Sequence, residues 1–128
     1  MTQPTAEIEN FDIETELQCR CGCKSYNYDN EFLIRLQAYR YMLNQGMTVT
    51  SGCRCKQHNK DEGGVDTSLH ICEGKAATEL DFTCNDMQSA YNLACTSGLF
   101  NEVIWYKSKN FIHIGLDRNQ TGDYFITK

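Results

Sequence analysis

Two histidines in this chain stand within reach of carboxylates. His70 lies in "TSLHICEGKAATELDF", a stretch that ends in Glu79 and Asp81, and His113 lies in "NFIHIGLD", with Asp117 just beyond it. A catalytic zinc site takes three protein ligands of nitrogen, sulfur or carboxylate type and leaves one position open for water. His70, one of the downstream acids and His113 can supply such a set. Taken alone these residues are weak evidence, because a lone histidine more often serves as a structural hydrogen-bonding group. The elements that position them decide how much weight they carry.

Residues 1–16 read as a loose arm with one apolar patch, Ile8, Phe11 and Ile13, and residues 17–128 as a single domain. "DNEFLIRLQAYRYMLNQG" reads as a helix, since Phe32, Leu33, Leu36, Tyr39 and Leu43 recur at helical spacing. Asp29 or Asn30 can cap it and Gly46 is expected to stop it. "MTVT" (47–50) reads as a short strand leading into the loop "SGCRC". Residues 56–76 are polar, with Gly63-Gly64 as a turn signal. "TELDF" then starts a strand with Leu80 and Phe82 on one face and Glu79 and Asp81 on the other. "CNDMQSAYNLACTSG" predicts a second helix, capped by Asn85 or Asp86 and stopped by Gly98. "EVIWYKSKNFIHIGLD" predicts a hairpin around "KSKN", and "DYFITK" a final strand. His113 thus falls on a strand able to pair with the strand of the two acids. This order predicts an α+β fold, a small antiparallel sheet with helices packed on one side.

Composition narrows the function classes. The chain has 128 residues, enough for one domain with a buried core, and 41% apolar content excludes a disordered chain. A net charge of −5 argues against a nucleic-acid partner. The apolar runs are far too short for a membrane span. The acidic start "MTQPTAEIENFDIETEL" lacks the pattern of a secretory signal, so synthesis in a cytoplasm is expected. Eight cysteines, at 19, 21, 23, 53, 55, 72, 84 and 95, would suit a disulfide framework in a secreted protein. Without a signal, reduced thiols or a metal cluster fit better. "CRCGC" and "CRC" lack the C-x₂-C spacing of most structural zinc sites, which favours small thiols packed around a tight turn.

The ordered set "LQCRCGC", a helix, "VTSGCRCKQHNKDEGG", "SLHICEGKAA" and "FIHIGLDR" resembles the zinc D-Ala-D-Ala carboxypeptidases and L,D-peptidases. The resemblance is to their small single-domain branch, common in bacteriophages and bacteria, and it covers about residues 17 to 118. It implies a hedgehog or D-Ala-D-Ala peptidase-like fold. In that family a Ser-x-His-x-x-Gly-x-Ala-x-Asp segment supplies two zinc ligands and a histidine on a late strand supplies the third. The resemblance therefore implies His70 and His113 as ligands of Zn²⁺. It also assigns Arg54 to a substrate carboxylate, which its fork of donors suits, and Ser68 to a substrate hydrogen bond. His58 matches a family position but reads as structural, in a polar turn.

This chain departs from the family pattern in three ways. Three residues separate His70 from Gly74 instead of two, and the acid expected after Gly74 falls on Thr78. An insertion restores it as Asp81, or with a smaller shift as Glu79; Asp81 is preferred because the residue type is kept. The catalytic acid that many relatives carry three residues before the last histidine is Asn110 here, and the frequent His-x-Asp becomes His113-Ile114-Gly115. Asp117, Glu73 or the unused member of the Glu79/Asp81 pair is then left to act as general base, with Asp117 and Glu79 taken as the catalytic candidates. The implied activity is zinc-dependent cleavage of peptidoglycan stem peptides by a monomer acting at the cell wall, after phage lysis or virion delivery. The competing expectations are a catalytically degenerate metal- or peptidoglycan-binding relative, and a cysteine-based structural zinc module.

Overall fold

The computed structural model describes residue 11, residues 16–23 and residues 26–128. Most of the expected arm thus lies outside the described residues; within it, Phe11 is buried against the core.

The helical repeat of apolar residues produces α1 (Asn30–Leu43), which buries Phe32, Leu33, Leu36 and Tyr39. Asp29 occupies the N-cap position, yet its carboxylate accepts from the Arg118 guanidinium rather than from a helix amide. The helix stops before Gly46. Asn44 adopts a left-handed conformation, φ 53°, and its N–H reaches Arg40 O. Asparagine is among the few residues besides glycine that tolerate this cap.

Downstream follow β1 (Thr48–Ser51), α2 (Lys56–Asp61), β2 (Glu79–Thr83), α3 (Met87–Thr96), β3 (Glu102–Tyr106), β4 (Phe111–Gly115) and β5 (Tyr124–Thr127). The helix α2 corrects the reading of residues 56–76 as loop throughout, and it places His58 on a helix rather than in a turn. It has no apolar stripe to reveal it, and its one buried residue is the polar Asn59. Asp86 caps α3, its carboxylate accepting from Ser89 N at 3.0 Å. The hairpin between β3 and β4 turns through a 3₁₀ segment, Lys107–Lys109, and closes on Asn110 at φ 56°.

The five strands form one sheet in the order β1-β2-β4-β3-β5, antiparallel except for the β3–β5 pair. Alternation along the strands gives the sheet two distinct faces. Leu80, Phe82, Ile112, Ile114 and Val103 form the inner face, all fully buried in one cluster with the apolar sides of α1 and α3. Complete burial of such a side chain stabilises by about 1.5–3 kcal/mol, so this face holds the sheet to its helices. The opposite face carries the ionisable side chains. Register sets Asp81 directly across from His113, and His113 across from Ile104 on its other side. Glu79 and Asp81 lie on that face as expected, but they too are buried. The chain from Glu62 to His70 walls the cavity above them.

Candidate metal centre

His70 enters the site at the end of that wall. Its Nδ1 lies 2.8 Å from the Gly52 carbonyl oxygen. A carbonyl only accepts, so Nδ1 carries the proton and Nε2 presents a lone pair. That lone pair faces His113 Nδ1 at 3.3 Å and Asp81 Oδ1 at 3.4 Å. Asp81 Oδ1 is in turn 2.8 Å from His113 Nδ1. The other nitrogen of His113, Nε2, lies 2.8 Å from Glu79 Oε2 and 2.6 Å from Glu102 Oε1. His70, Glu79 and His113, all buried, present donor atoms within 4.8 Å of one another, a group able to hold a metal ion. Asp81 Oδ1 also stands within 3.4 Å of both histidines.

The charges of the centre point the same way. Burial would lower the His113 pKa, but hydrogen bonds to Asp81, Glu102 and Glu79 outweigh it and raise the pKa well above its usual value. Burial likewise pushes Asp81 up, and the hydrogen bond from His113, with His70 close by, reverses this and leaves its carboxyl below the ordinary range. The His113 hydrogen bond brings Glu102 down to about 2 against its partial burial. Glu79, more deeply buried, is raised by desolvation in spite of His113. Three carboxylates here face the His113 imidazole and the Arg54 guanidinium, whose Nη2 is 3.8 Å from Asp81 Oδ2. Buried charge is costly unless paired or bound to metal, so the groups that favour a proton on His113 would equally favour a divalent cation in its place.

Above the centre opens a cavity of about 510 Å³ lined by Arg54, Ser68, Glu102, Tyr106, Lys109 and Asp117 among others. Arg54 is anchored by Nε and Nη2 donating to Ser51 Oγ, at 3.2 and 3.1 Å, and by Nη1 to Asn59 Oδ1 at 3.4 Å. Ser68 Oγ accepts from His70 N at 3.2 Å and so shapes the turn that presents the histidine. Asp117 reaches the cavity from the loop after β4, with Oδ1 accepting from Asn119 N at 3.0 Å. Glu73 accepts from Lys56 N at 3.1 Å, at the N-terminus of α2. His58 lies 3.7 Å from Glu62 one helical turn on. Asn110 is exposed at the hairpin tip, while its neighbours Lys109 and Phe111 line the cavity.

Sequence reasoning missed two residues. Glu102 opens β3 on the same face as Ile104, which pairs with His113, so the hairpin predicted around "KSKN" already carried the signal that places it at the site. Asn59 ties Arg54 to the cavity wall, its Nδ2 donating to Val65 O at 2.8 Å. A Cβ at Gly64 would meet Asn59 Oδ1 at 2.2 Å, which explains the glycine at that turn. Gly115 has a similar part. A Cβ there would come within 2.9 Å of Glu79 Cγ, so the absent side chain at position 115 is what lets Glu79 reach His113.

The model of a family described as Peptidase M15 matches residues 9–115. No curated protein sequence matches the chain.

Proposed function

Because the chain belongs to the peptidase M15 family, we propose that it is a zinc-dependent peptidase of cell-wall peptides. The bond it cuts is D-Ala-D-Ala or L-Ala–D-Glu, and the work is done at the cell wall of a bacterium lysed or entered by a phage. One observation carries the metal assignment: His70 Nε2, His113 Nδ1 and Asp81 Oδ1 converge with separations of 3.3, 3.4 and 2.8 Å. Donors bound to tetrahedral zinc at its usual bond lengths stand about 3.3 Å apart. We therefore assign His70, Asp81 and His113 as ligands, with Glu79 behind them. His70 Nδ1–H donating to Gly52 O, and His113 Nε2–H donating to Glu79 and Glu102, supply the outer hydrogen bonds that orient metal-binding imidazoles.

Zinc held there supplies a Lewis acid that polarises the scissile carbonyl and makes water more acidic. The side chains of the protein do the remainder. Glu102 and Glu79 share His113 Nε2–H while their environments drive their acidities apart, one lowered and one raised. Such a split pair can take a proton from attacking water and return it to the departing amine. Glu102 is the member in contact with the cavity that is less buried, and we assign it the proton transfer ahead of Asp117. Arg54 holds a peptide carboxylate, and the Ser68 hydroxyl donates to the peptide while its oxygen accepts from His70 N.

The test uses the protein loaded with zinc and a synthetic stem pentapeptide or purified peptidoglycan, with new termini read by mass spectrometry. Turnover that stops with a chelator and with His70→Ala, and returns to the wild type with zinc, is the expected result. Zinc bound without any new termini on several wall types overturns the peptidase assignment. In that case the cavity is a peptide-binding cleft.

A further inference from the structure

A second group of potential ligands lies away from this centre. Cys19, Cys21 and Cys23 come from one loop and Cys55 from the N-cap of α2, and their four Sγ atoms all lie within 4.8 Å of one another. Cys19 Sγ is 3.5 Å from Cys21 Sγ, and Cys21 Sγ is 3.6 Å from Cys55 Sγ. Zinc–thiolate bonds of about 2.3 Å set tetrahedral sulfur atoms about 3.8 Å apart, so four thiols are already gathered near that spacing. Two backbone amides also aim at the sulfurs. Cys55 N donates to Cys19 Sγ, and His58 N donates to Cys55 Sγ, both at 3.4 Å. Amide donors to sulfur favour thiolate over thiol, as in metal–sulfur sites. Cys21 and Cys23 are exposed, an unusual setting for a residue type that is otherwise among the most buried. Packing does not explain them. Arg20 and Lys56 neighbour these cysteines in the sequence, positive charge that would suit a thiolate-rich complex.

We propose that Cys19, Cys21, Cys23 and Cys55 form a closed structural site for zinc or a similar thiophilic divalent metal, separate from the histidine centre. Its effect reaches the cavity through the backbone. The loop of residues 16–23 lies directly on the segment carrying Gly52 and Arg54, with Cys53 N donating to Leu17 O at 3.1 Å. A Cβ on Gly52 would fall 2.5 Å from Leu17 O, so the two segments meet backbone to backbone. The cysteine site clasps that contact. It thereby steadies the carbonyl that orients His70 and the start of the loop that presents Arg54.

The full chain is purified under reducing conditions, supplied with zinc and desalted. Elemental analysis is expected to find a second equivalent that His70→Ala/His113→Ala keeps and Cys21→Ser/Cys55→Ser loses, with Cys84→Ser/Cys95→Ser as a control that keeps both. Cobalt(II) in the histidine variant should show thiolate-to-metal charge transfer. Should the cysteine variant fail to fold, alkylation of the wild type decides. Cys21 and Cys23 should be protected by zinc and labelled once it is chelated. A single equivalent lost with the histidines, equal labelling with and without zinc, or fewer than eight titratable thiols in the denatured protein would each overturn the site, the last by showing disulfides.

Discussion

His113 is the residue around which the chemistry is arranged, because its two ring nitrogens face different partners. Nδ1 looks to His70 and Asp81, and Nε2 to Glu79 and Glu102. The two sides should separate in mutants. Asp81→Asn is expected to remove zinc from the centre, whereas Glu79→Gln, acting through His113, should weaken affinity only about 10–100-fold. Competition with a chromophoric chelator measures both, and the reverse ranking would make Glu79 the ligand. Glu102→Gln, assayed at saturating zinc because Glu102 shares His113 Nε2–H with Glu79, should slow peptide cleavage about 10²–10⁴-fold, the usual contribution of a general base. Asp117→Asn should change the rate little, and a large fall there would move the base to the loop after β4. Arg54→Lys should reduce kcat/KM roughly tenfold or more, because lysine keeps the charge but lacks the fork that binds a carboxylate. Steady-state kinetics on a peptide with and without its terminal carboxylate would show whether Arg54 reads that group.

At the scale of elements, the hairpin of β3 and β4 decides where an acid can act. The family pattern directs attention to position 110, but here Asn110 ends the 3₁₀ turn in a left-handed conformation and is exposed. A carboxylate introduced there starts from the hairpin tip. Asn110→Glu is therefore expected to give no gain in hydrolysis and to cost about 1–2 kcal/mol, the penalty for holding an ordinary residue in that region. Thermal denaturation and peptide turnover check the two halves, and a clear rate gain would restore position 110 as the place of the missing acid. The acid that β3 does supply, Glu102, comes from the other end of the same hairpin. Gly115 at the end of β4 complements it by making room for Glu79.

At the scale of the molecule, the sheet separates stability from chemistry. The face toward α1 and α3 is apolar and fully buried, while the opposite face gathers Glu79, Asp81, Glu102 and His113 under the cavity. Bound metal should therefore act as a ligand of the folded state. At about 1,000 times its dissociation constant a ligand adds about 4 kcal/mol, so chelation should lower Tm by several degrees or more. Calorimetry with and without zinc tests this in the wild type. In His70→Ala/His113→Ala only the part of the shift belonging to the cysteine cluster should remain. No shift in the wild type would contradict both sites.

Periodicity alone determined the elements that carry a repeating apolar pattern. The stripe of Phe32, Leu33, Leu36 and Tyr39 marked α1, and the alternation in "TELDF" put Glu79 and Asp81 on one face before any partner was known. The ordered motifs also singled out His70, His113, Arg54 and Ser68, and the fold brings all four to one cavity. Local pattern gave no access to α2, which is short and buries an asparagine, or to the end of α1 at Asn44, where a side chain other than glycine takes the left-handed cap. Nor could it find the contacts made between segments distant in sequence. Asp81 meets His113 because of the β2–β4 register, and Cys55 meets the 19–23 loop because backbone packs on backbone at Gly52. The sequence settles which residues can act as ligands; which donors converge, and at what spacing, is decided by sheet register and loop packing, because ligand geometry depends on distances that no local repeat encodes.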